Sequence, residues 1–159
     1  MTIEAPTNVQ PKLVRQQEGK ILDAGIDTIQ FKLNAEDTGG AFSLGLVTTS
    51  PGGGPPLHVH HREDELFIIL EGELEALTPS GWVTASPGDV VYLPADVPHT
   101  YRNAGTIPVK FWVLANPAGF ESFYEAFVAV MKAPGGPNPE RMAATAQAYG
   151  IEFLPTPQS

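Results

Sequence analysis

The sequence predicts a mainly β protein, a sandwich or barrel of short strands followed by two helices. Three observations predict this fold class. Apolar and polar residues alternate through most of residues 21–114, as expected where one face of each strand is buried. Sixteen glycines and sixteen prolines favour short strands joined by tight turns. After residue 117 the apolar residues recur at helical spacing instead.

The first part of the chain contains an arm and three predicted strands. We expect residues 1–14 to be a flexible arm, because they show no hydrophobic periodicity. Residues 28–33 and 41–47 alternate cleanly, and residues 34–40 between them have the composition of a turn. Leu66 to Leu70 is apolar without interruption, which predicts a strand buried on both faces.

The next part contains a hairpin and three further strands. Residues 73–77 and 82–84 flank Pro79-Ser80-Gly81, which is typical of a β-hairpin. The remaining predicted strands are residues 90–93, 99–103 and 110–114. Their close spacing is that of a sandwich or barrel, which we place at residues 15–118.

Residues 119–155 are predicted to form a helical extension that packs on the barrel within the same domain, its second helix ending at about Tyr149. The apolar stripe of the first helix consists of Phe120, Phe123, Tyr124, Phe127, Val128 and Met131. We expect its phenylalanines to be buried simply by packing, on the barrel or on a partner. Asn138 and Pro139 predict the N-cap and first turn of a second helix, and Gly150 its end.

Composition limits the partners. The net charge of −9 argues against nucleic acid and anionic membranes as partners, because both need a basic face, but it does not identify a substrate. The chain has no cysteine, which excludes disulfides, thiolate metal sites and cysteine nucleophiles. No apolar run approaches the roughly 20 residues of a membrane span. The polar first ten residues do not resemble a signal peptide, and a cytoplasmic location is expected.

Three of the four histidines and one glutamate are spaced as metal ligands. His58 and His60 are two residues apart, so their side chains leave the same face of a strand, whereas His61 points the opposite way and is not expected to bind. With Glu65 and His99 they form a donor set suited to one divalent first-row transition metal per chain, Fe, Mn, Ni, Co or Zn. The neighbouring acidic pair, Glu63 and Asp64, is expected to face solvent.

Glu65 has two interpretations, which remain open. As a metal ligand its charged form is favoured and its pKa falls. If it moves into an apolar interior, burial raises its pKa and it becomes a proton acceptor.

These residues resemble two motifs of the cupin superfamily. The first, G-x5-H-x-H-x4-E-x6-G, is matched without gaps by Gly52, His58, His60, Glu65 and Gly72. The second, G-x5-P-x-G-x2-H-x3-N, is matched by Gly88, Pro94, His99 and Asn103. Asp96 stands where the family usually has glycine, at a turn position that aspartate tolerates. Over residues 15–155 the chain is also similar to small bacterial quercetin 2,3-dioxygenase-type cupins.

The resemblance implies a single antiparallel jelly-roll barrel with the metal in its mouth, extended by C-terminal helices. It further implies a metal-dependent dioxygenase that cleaves a flavonol or a related enolisable aromatic compound with O2, Glu65 serving as catalytic base. Two alternatives remain open: a metal-dependent isomerase, cyclase or lyase, and a non-catalytic small-molecule-binding cupin. The expected substrate pocket includes Phe67, Ile69, Tyr101 and Trp112. A homodimer is expected, because the predicted apolar surface exceeds what one small barrel can bury.

Overall fold

The computed structural model describes residues 9–155, and within this range the chain forms eleven strands and three helices. The first strands and helix are β1 (Lys20–Asp23), β2 (Asp27–Leu33), α1 (Ala35–Thr38), β3 (Ser43–Thr49), β4 (His58–His60) and β5 (Asp64–Glu71). Four strands follow: β6 (Leu74–Thr78), β7 (Gly81–Ala85), β8 (Val90–Leu93) and β9 (Thr100–Arg102). The last elements are β10 (Val109–Asn116), α2 (Phe120–Met131), α3 (Pro139–Ala148) and β11 (Ile151–Phe153).

The strands form two layers. One is a six-stranded antiparallel sheet in the order β1-β2-β3-β10-β5-β8. The other combines the sheet β7-β6-β9 with the pair β11-β4, joined where His58 and His99 exchange backbone hydrogen bonds of 3.0 and 2.9 Å. The expected antiparallel architecture is confirmed. The strands are nevertheless grouped into separate sheets and do not form one continuously hydrogen-bonded barrel.

A single core lies between the two layers and extends under the helices. Phe111 and Ile69 of the large sheet and Leu74 of the opposite layer are almost completely buried. Phe120 of α2 and Ala146 of α3 belong to the same cluster. This shared core supports the interpretation that the strands and the helical extension form one domain.

The outer face of the large sheet corrects one expectation. Leu66 to Leu70 is not buried on both faces, because Ile68 is 36% exposed and Leu70 is 41% exposed. Alternation along β5 directs Phe67 and Ile69 inward, and no other layer of the described chain covers the opposite side. The outer-face residues of the central strands are Leu44, Leu46, Leu66, Ile68, Val90, Tyr92, Trp112 and Leu114.

The predicted helix signals are confirmed, with one addition. The side chain of Asn138 accepts a hydrogen bond from the Arg141 amide at the start of α3, as expected of an N-cap. The predicted turn over residues 34–40 contains one helical turn, α1, because Asn34 and Asp37 form a capping box. Asp96 has a φ of 63°, in agreement with the turn role expected of it.

Residues 1–8 of the expected N-terminal arm lie outside the described residues. From Lys12 onward the chain is attached to the fold: the Lys12 ammonium lies 2.5 Å from Asp37, and the Lys32 ammonium donates to the backbone oxygens of residues 15, 16 and 18. No helix within residues 9–155 is both long and apolar enough to cross a membrane.

Candidate metal centre

The four predicted ligands meet at one point between the two layers. One ligand atom from each of His58, His60, Glu65 and His99 lies within 4.8 Å of the others. All four side chains are buried, with exposures between 1% and 7%. The cluster could therefore hold one metal ion, because three imidazole nitrogens and a carboxylate oxygen are a common donor set for first-row transition metals.

Strand pairing explains why residues distant in sequence converge here. His58 and His99 are directly opposite each other in an antiparallel pair, so their side chains lie on the same face. His60 follows two residues after His58 and shares that face. Glu65 comes from the other layer, where β5 pairs with both β8 and β10. The carboxylate therefore faces the three imidazoles across the interior.

The hydrogen bonds of the imidazole rings prepare their other nitrogens for a metal. Nδ1 of His58 donates to the Pro56 carbonyl at 2.8 Å, and Nδ1 of His99 donates to the Val97 carbonyl at 2.9 Å. A carbonyl oxygen can only accept, so in both rings the hydrogen must be on Nδ1. In a neutral ring this leaves the Nε2 lone pair free for a metal ion.

The arrangement of lone pairs favours a cation. Oε2 of Glu65 lies 3.0 Å from Nε2 of His99 and 3.4 Å from Nε2 of His60. A carboxylate oxygen and an unprotonated imidazole nitrogen repel each other at these distances, and either a proton on Nε2 or a metal ion between the two atoms removes that repulsion. The donor set thus fits the metal that the resemblance implies.

The pKa shifts of His58 and Glu65 favour their ligand forms, whereas burial lowers the pKa of His60 and the carboxylates of Glu65 and Glu63 outweigh burial and raise it. Burial, together with repulsion from the other two imidazoles, lowers the pKa of His58 to about 3, so this ring is neutral at physiological pH. Burial alone would raise the pKa of Glu65, but its contacts with the three histidines outweigh burial and lower the pKa to about 2. In the observed position Glu65 is therefore an ionised carboxylate suited to be a ligand.

Glu63 is a site residue that the sequence did not reveal. It was expected to face solvent, but it is 5% exposed and its Oε2 accepts a hydrogen bond of 3.2 Å from Nδ1 of His60. The residue immediately precedes β5 in the loop after β4, where strand alternation does not predict direction. Asp64, the other member of the acidic pair, accepts from the Ala95 amide. His60 therefore differs from His58 and His99: its Nδ1 donates to a carboxylate, whereas theirs donate to backbone carbonyls.

His61 and Asn103 lie outside the cluster. His61 points away from the interior, as expected, and contacts Asp96 at 2.6 Å and Glu152 at 3.2 Å on the surface. Asn103, although part of the second motif, binds the backbone oxygens of Thr49 and Ile107 and so holds loops together. Its role is structural.

A cavity of about 190 Å³ opens beside the cluster, with His58, His60 and Glu65 in its wall. Most of the remaining wall is apolar, and its aromatic residues are Phe67, Tyr101, Phe111, Phe120, Phe123, Tyr124, Phe127 and Phe153. A cavity with apolar walls and a few convergent polar groups is the usual form of a small-molecule site. Helices α2 and α3 supply one side of it.

Of the four residues expected to line the pocket, two line the cavity and two do not. Phe67 and Tyr101 line the cavity. Ile69 shares their inward orientation but is packed in the core at 1% exposure and is not part of the wall. Trp112 is on the outer face of the large sheet, opposite Ile68, because its neighbours Phe111 and Val113 point inward.

The phenylalanines of α2 have more than a packing role. The sequence predicted burial of Phe120, Phe123 and Phe127 by packing alone, but all three also line the cavity. The Phe120 ring lies 5.8 Å from the ring of His60. Helical periodicity predicts that a stripe is buried, but it does not predict what the stripe faces.

Comparisons with known proteins agree with this fold. Residues 45–115 match the family model described as Cupin domain. Quercetin 2,3-dioxygenase of Bacillus subtilis (strain 168) is 32% identical over 101 residues, which are 64% of this chain. The match spans only 30% of that enzyme's length.

Two solved structures show the same fold at lower identity. The polyketide cyclase RemF from Streptomyces resistomycificus has a TM-score of 0.59 at 24% identity, over 67% of this chain and 80% of that one. KdgF from Halomonas sp. has a TM-score of 0.62 at 16% identity, over 70% of this chain and 99% of that one. These likenesses confirm the expected jelly-roll architecture.

Proposed function

Because residues 45–115 match the family model described as Cupin domain, we propose that this chain is a metal-dependent enzyme that cleaves a flavonol or related enolisable aromatic compound with O2. One observation carries the proposal: a buried cluster of three histidines and a glutamate opens onto a cavity lined by aromatic side chains. The similarity to a quercetin 2,3-dioxygenase over 101 residues supports the substrate class.

In this proposal His58, His60 and His99 hold one divalent first-row transition metal, with Glu65 as fourth ligand. Their donor types suit Fe, Mn, Ni, Co or Zn. When bound, such an ion supplies Lewis acidity that favours the deprotonated form of a substrate hydroxyl.

The cavity wall binds the substrate and excludes water. Aromatic side chains such as Phe67, Phe111 and Phe120 offer apolar surface to the rings of the substrate. A dry wall also strengthens the electrostatic interactions of the few polar groups within it.

Glu65 is the proposed proton acceptor. The enol hydroxyl of the substrate loses its proton to a carboxylate oxygen of Glu65 and becomes an enolate, whose electron-rich ring then reacts with O2. In its present contacts the low pKa of Glu65 makes it a weak base. Base catalysis therefore requires the carboxylate to move away from His60 and His99 toward the apolar wall, where burial raises its pKa.

Metal analysis of the purified protein followed by oxygen-uptake measurements tests the proposal. A panel of flavonols and enediols is offered to wild type and to His99→Ala, which lacks one ligand. We expect stoichiometric metal and oxygen consumption in the wild type and neither in the variant. Product formation without oxygen uptake would instead identify an isomerase, cyclase or lyase, and binding without product would identify a non-catalytic cupin.

We also propose that two copies of the chain pair through the outer face of the large sheet. The residues Ile68, Val90 and Tyr92 of this face are 36%, 56% and 59% exposed. A second copy would bury this apolar surface, and about 800 Å² per partner is an ordinary interface size.

A further inference from the structure

A second group of polar atoms, outside the metal centre, lines the same cavity. The Tyr101 hydroxyl donates to Oδ2 of Asp27 at 3.3 Å. Both residues are part of the cavity wall, and Asp27 is 8% exposed. Asp27 is the first residue of β2, and it pairs with Thr49 at the end of β3.

Asp27 is an unusual residue for this position. A buried carboxylate normally has each oxygen hydrogen-bonded, because leaving one without a partner is costly. Within residues 9–155, however, no group completes a hydrogen bond to Asp27 Oδ1 or to the neighbouring Thr49 Oγ1. Burial raises the pKa of Asp27, while its contacts with Thr49 and Tyr101 partly oppose the rise. Asp27 therefore presents an oxygen without a hydrogen bond of standard geometry in the cavity wall, with the Thr49 hydroxyl beside it.

Two glycines leave room around this carboxylate. A Cβ atom at Gly53 would lie 2.7 Å from Asp27 Oδ1 and 2.3 Å from Thr49 Oγ1. A Cβ atom at Gly54 would lie 2.1 Å from the Tyr101 carbonyl oxygen. Side chains at these positions would displace Asp27 and Tyr101, so the loop that precedes the histidines depends on both glycines.

Tyr101 connects this group with the metal centre. It follows His99 by two residues on the same strand face, and its ring packs edge-on against Phe67 and Phe111 at 5.7 and 5.2 Å. A molecule that occupies the cavity beside the histidines therefore lies along the aromatic wall that leads to Asp27.

From these contacts we propose that Asp27 and Tyr101 form a substrate subsite that binds a hydrogen-bond donor, such as a hydroxyl group, on the part of an aromatic substrate that extends away from the metal centre. An ionised carboxylate has only acceptor positions. The Tyr101 hydroxyl uses its hydrogen on Asp27, so its remaining lone pairs also accept. The pair therefore favours substrates with a donor and disfavours those with a carbonyl or carboxylate at that end.

The test compares two flavonols that differ in their outer hydroxyls. 3-Hydroxyflavone carries only the enol hydroxyl, whereas quercetin has further hydroxyls on both outer parts of the molecule. Binding of each is measured by isothermal titration calorimetry on zinc-loaded protein under argon, where no oxidation takes place. The quantity of interest is the ratio of the two dissociation constants, because differences in hydration of the flavonols cancel between protein variants.

We expect the preference for quercetin to fall by about tenfold in Asp27→Asn, the usual scale for one hydrogen bond to a charged group. Tyr101→Phe should reduce the same ratio, because it removes both an acceptor and the group that orients Asp27. Asp23→Asn is the matched control, since it removes an exposed carboxylate of the same neighbourhood outside the cavity wall. It should leave the ratio unchanged.

Two results would overturn the proposal. One is an unchanged ratio in Asp27→Asn at any melting temperature, which would show that the pair does not bind the outer hydroxyls of the flavonol. The other is failure of wild type to bind either flavonol, which would exclude this class of occupant.

The inference rests on the proposed function only for the aromatic nature of the substrate, and the two can fail separately. Binding is measured without turnover, so absence of oxygen uptake in the earlier experiment leaves the ratio of dissociation constants valid. Conversely, oxygen uptake that is equal in wild type and Asp27→Asn, with an unchanged binding ratio, would refute the subsite and leave the proposed reaction standing.

Discussion

Replacing Glu63 tests how far the candidate metal centre depends on a residue outside its ligand set. The carboxylate accepts a 3.2 Å hydrogen bond from Nδ1 of His60, and both side chains are almost completely buried. This contact fixes the hydrogen on Nδ1, orients the ring and makes Nε2 a better electron donor. We therefore expect Glu63 variants to bind divalent metal more weakly without losing a ligand.

The expected size of the effect follows from the chemistry of the replacement. Loss of such a supporting contact commonly lowers metal affinity by about 10- to 100-fold, or roughly 1.4 to 2.8 kcal/mol. Glu63→Gln should fall near the lower end, because the amide oxygen can still accept from Nδ1 but has lost the charge. Glu63→Ala should fall near the upper end, because the buried Nδ1 then has no acceptor.

Competition with a fluorescent chelator for Zn²⁺ measures these affinities on metal-free protein. Asp64→Asn is the matched control, since this neighbouring acid accepts from the Ala95 amide and does not contact a histidine. Circular dichroism and the melting temperature of the metal-free proteins establish that the variants are folded. Equal zinc affinity of wild type, Glu63→Gln and Glu63→Ala would refute the reasoning.

Three further predictions concern turnover, assembly and stability. Glu65→Gln should keep the fold and much of the metal through the three imidazoles, while turnover on a confirmed substrate falls by about a hundredfold or more; a near-normal rate would exclude the base role. In light scattering coupled to gel filtration, the wild type should have the mass of two chains and Ile68→Lys, which places a charge on the proposed dimer face, the mass of one. The control Ile107→Lys changes an exposed loop residue and should keep the mass of two chains. A wild-type mass of one chain would contradict the dimer. Because the pKa of Asp27 is raised in the folded state, its carboxyl destabilises the protein increasingly as pH rises above the unfolded value of 3.8. Asp27→Asn should therefore be more stable than wild type at neutral pH, with the difference disappearing in acid denaturation series below that value; a less stable variant at neutral pH would contradict the sign.

The convergence of the four candidate ligands could be predicted because strand geometry relates sequence spacing to the direction of a side chain. His58 and His60 share a face through their separation of two residues, and the motif containing His99 supplies the facing strand. The same rule failed for Glu63, which lies in the loop between β4 and β5, where alternation does not apply. It also failed for the outer side of β5, because an apolar run does not reveal whether the chain itself provides a second covering layer.

Asp27 shows a second limit of prediction from local sequence patterns. Its position before an alternating strand predicted no role, since the contact with Tyr101 joins residues 74 positions apart in sequence. Local patterns predict which way a side chain points but not which distant side chain it meets. The subsite therefore became visible only through tertiary contacts.

The candidate metal centre and the cavity wall come from different parts of the chain. All four candidate ligands lie within residues 45–115, the segment that matches the cupin domain model. Twelve of the twenty-three residues that line the cavity lie outside that segment, among them Asp27, Phe120 and Phe127. Similarity within the domain therefore informs the metal chemistry, whereas the shape and polarity seen by the substrate depend largely on β2 and on the helices that follow the barrel. It follows that substitutions on the inner face of α2 should change which aromatic compound binds while leaving metal affinity nearly unchanged, and that substitutions at Glu63 should do the reverse.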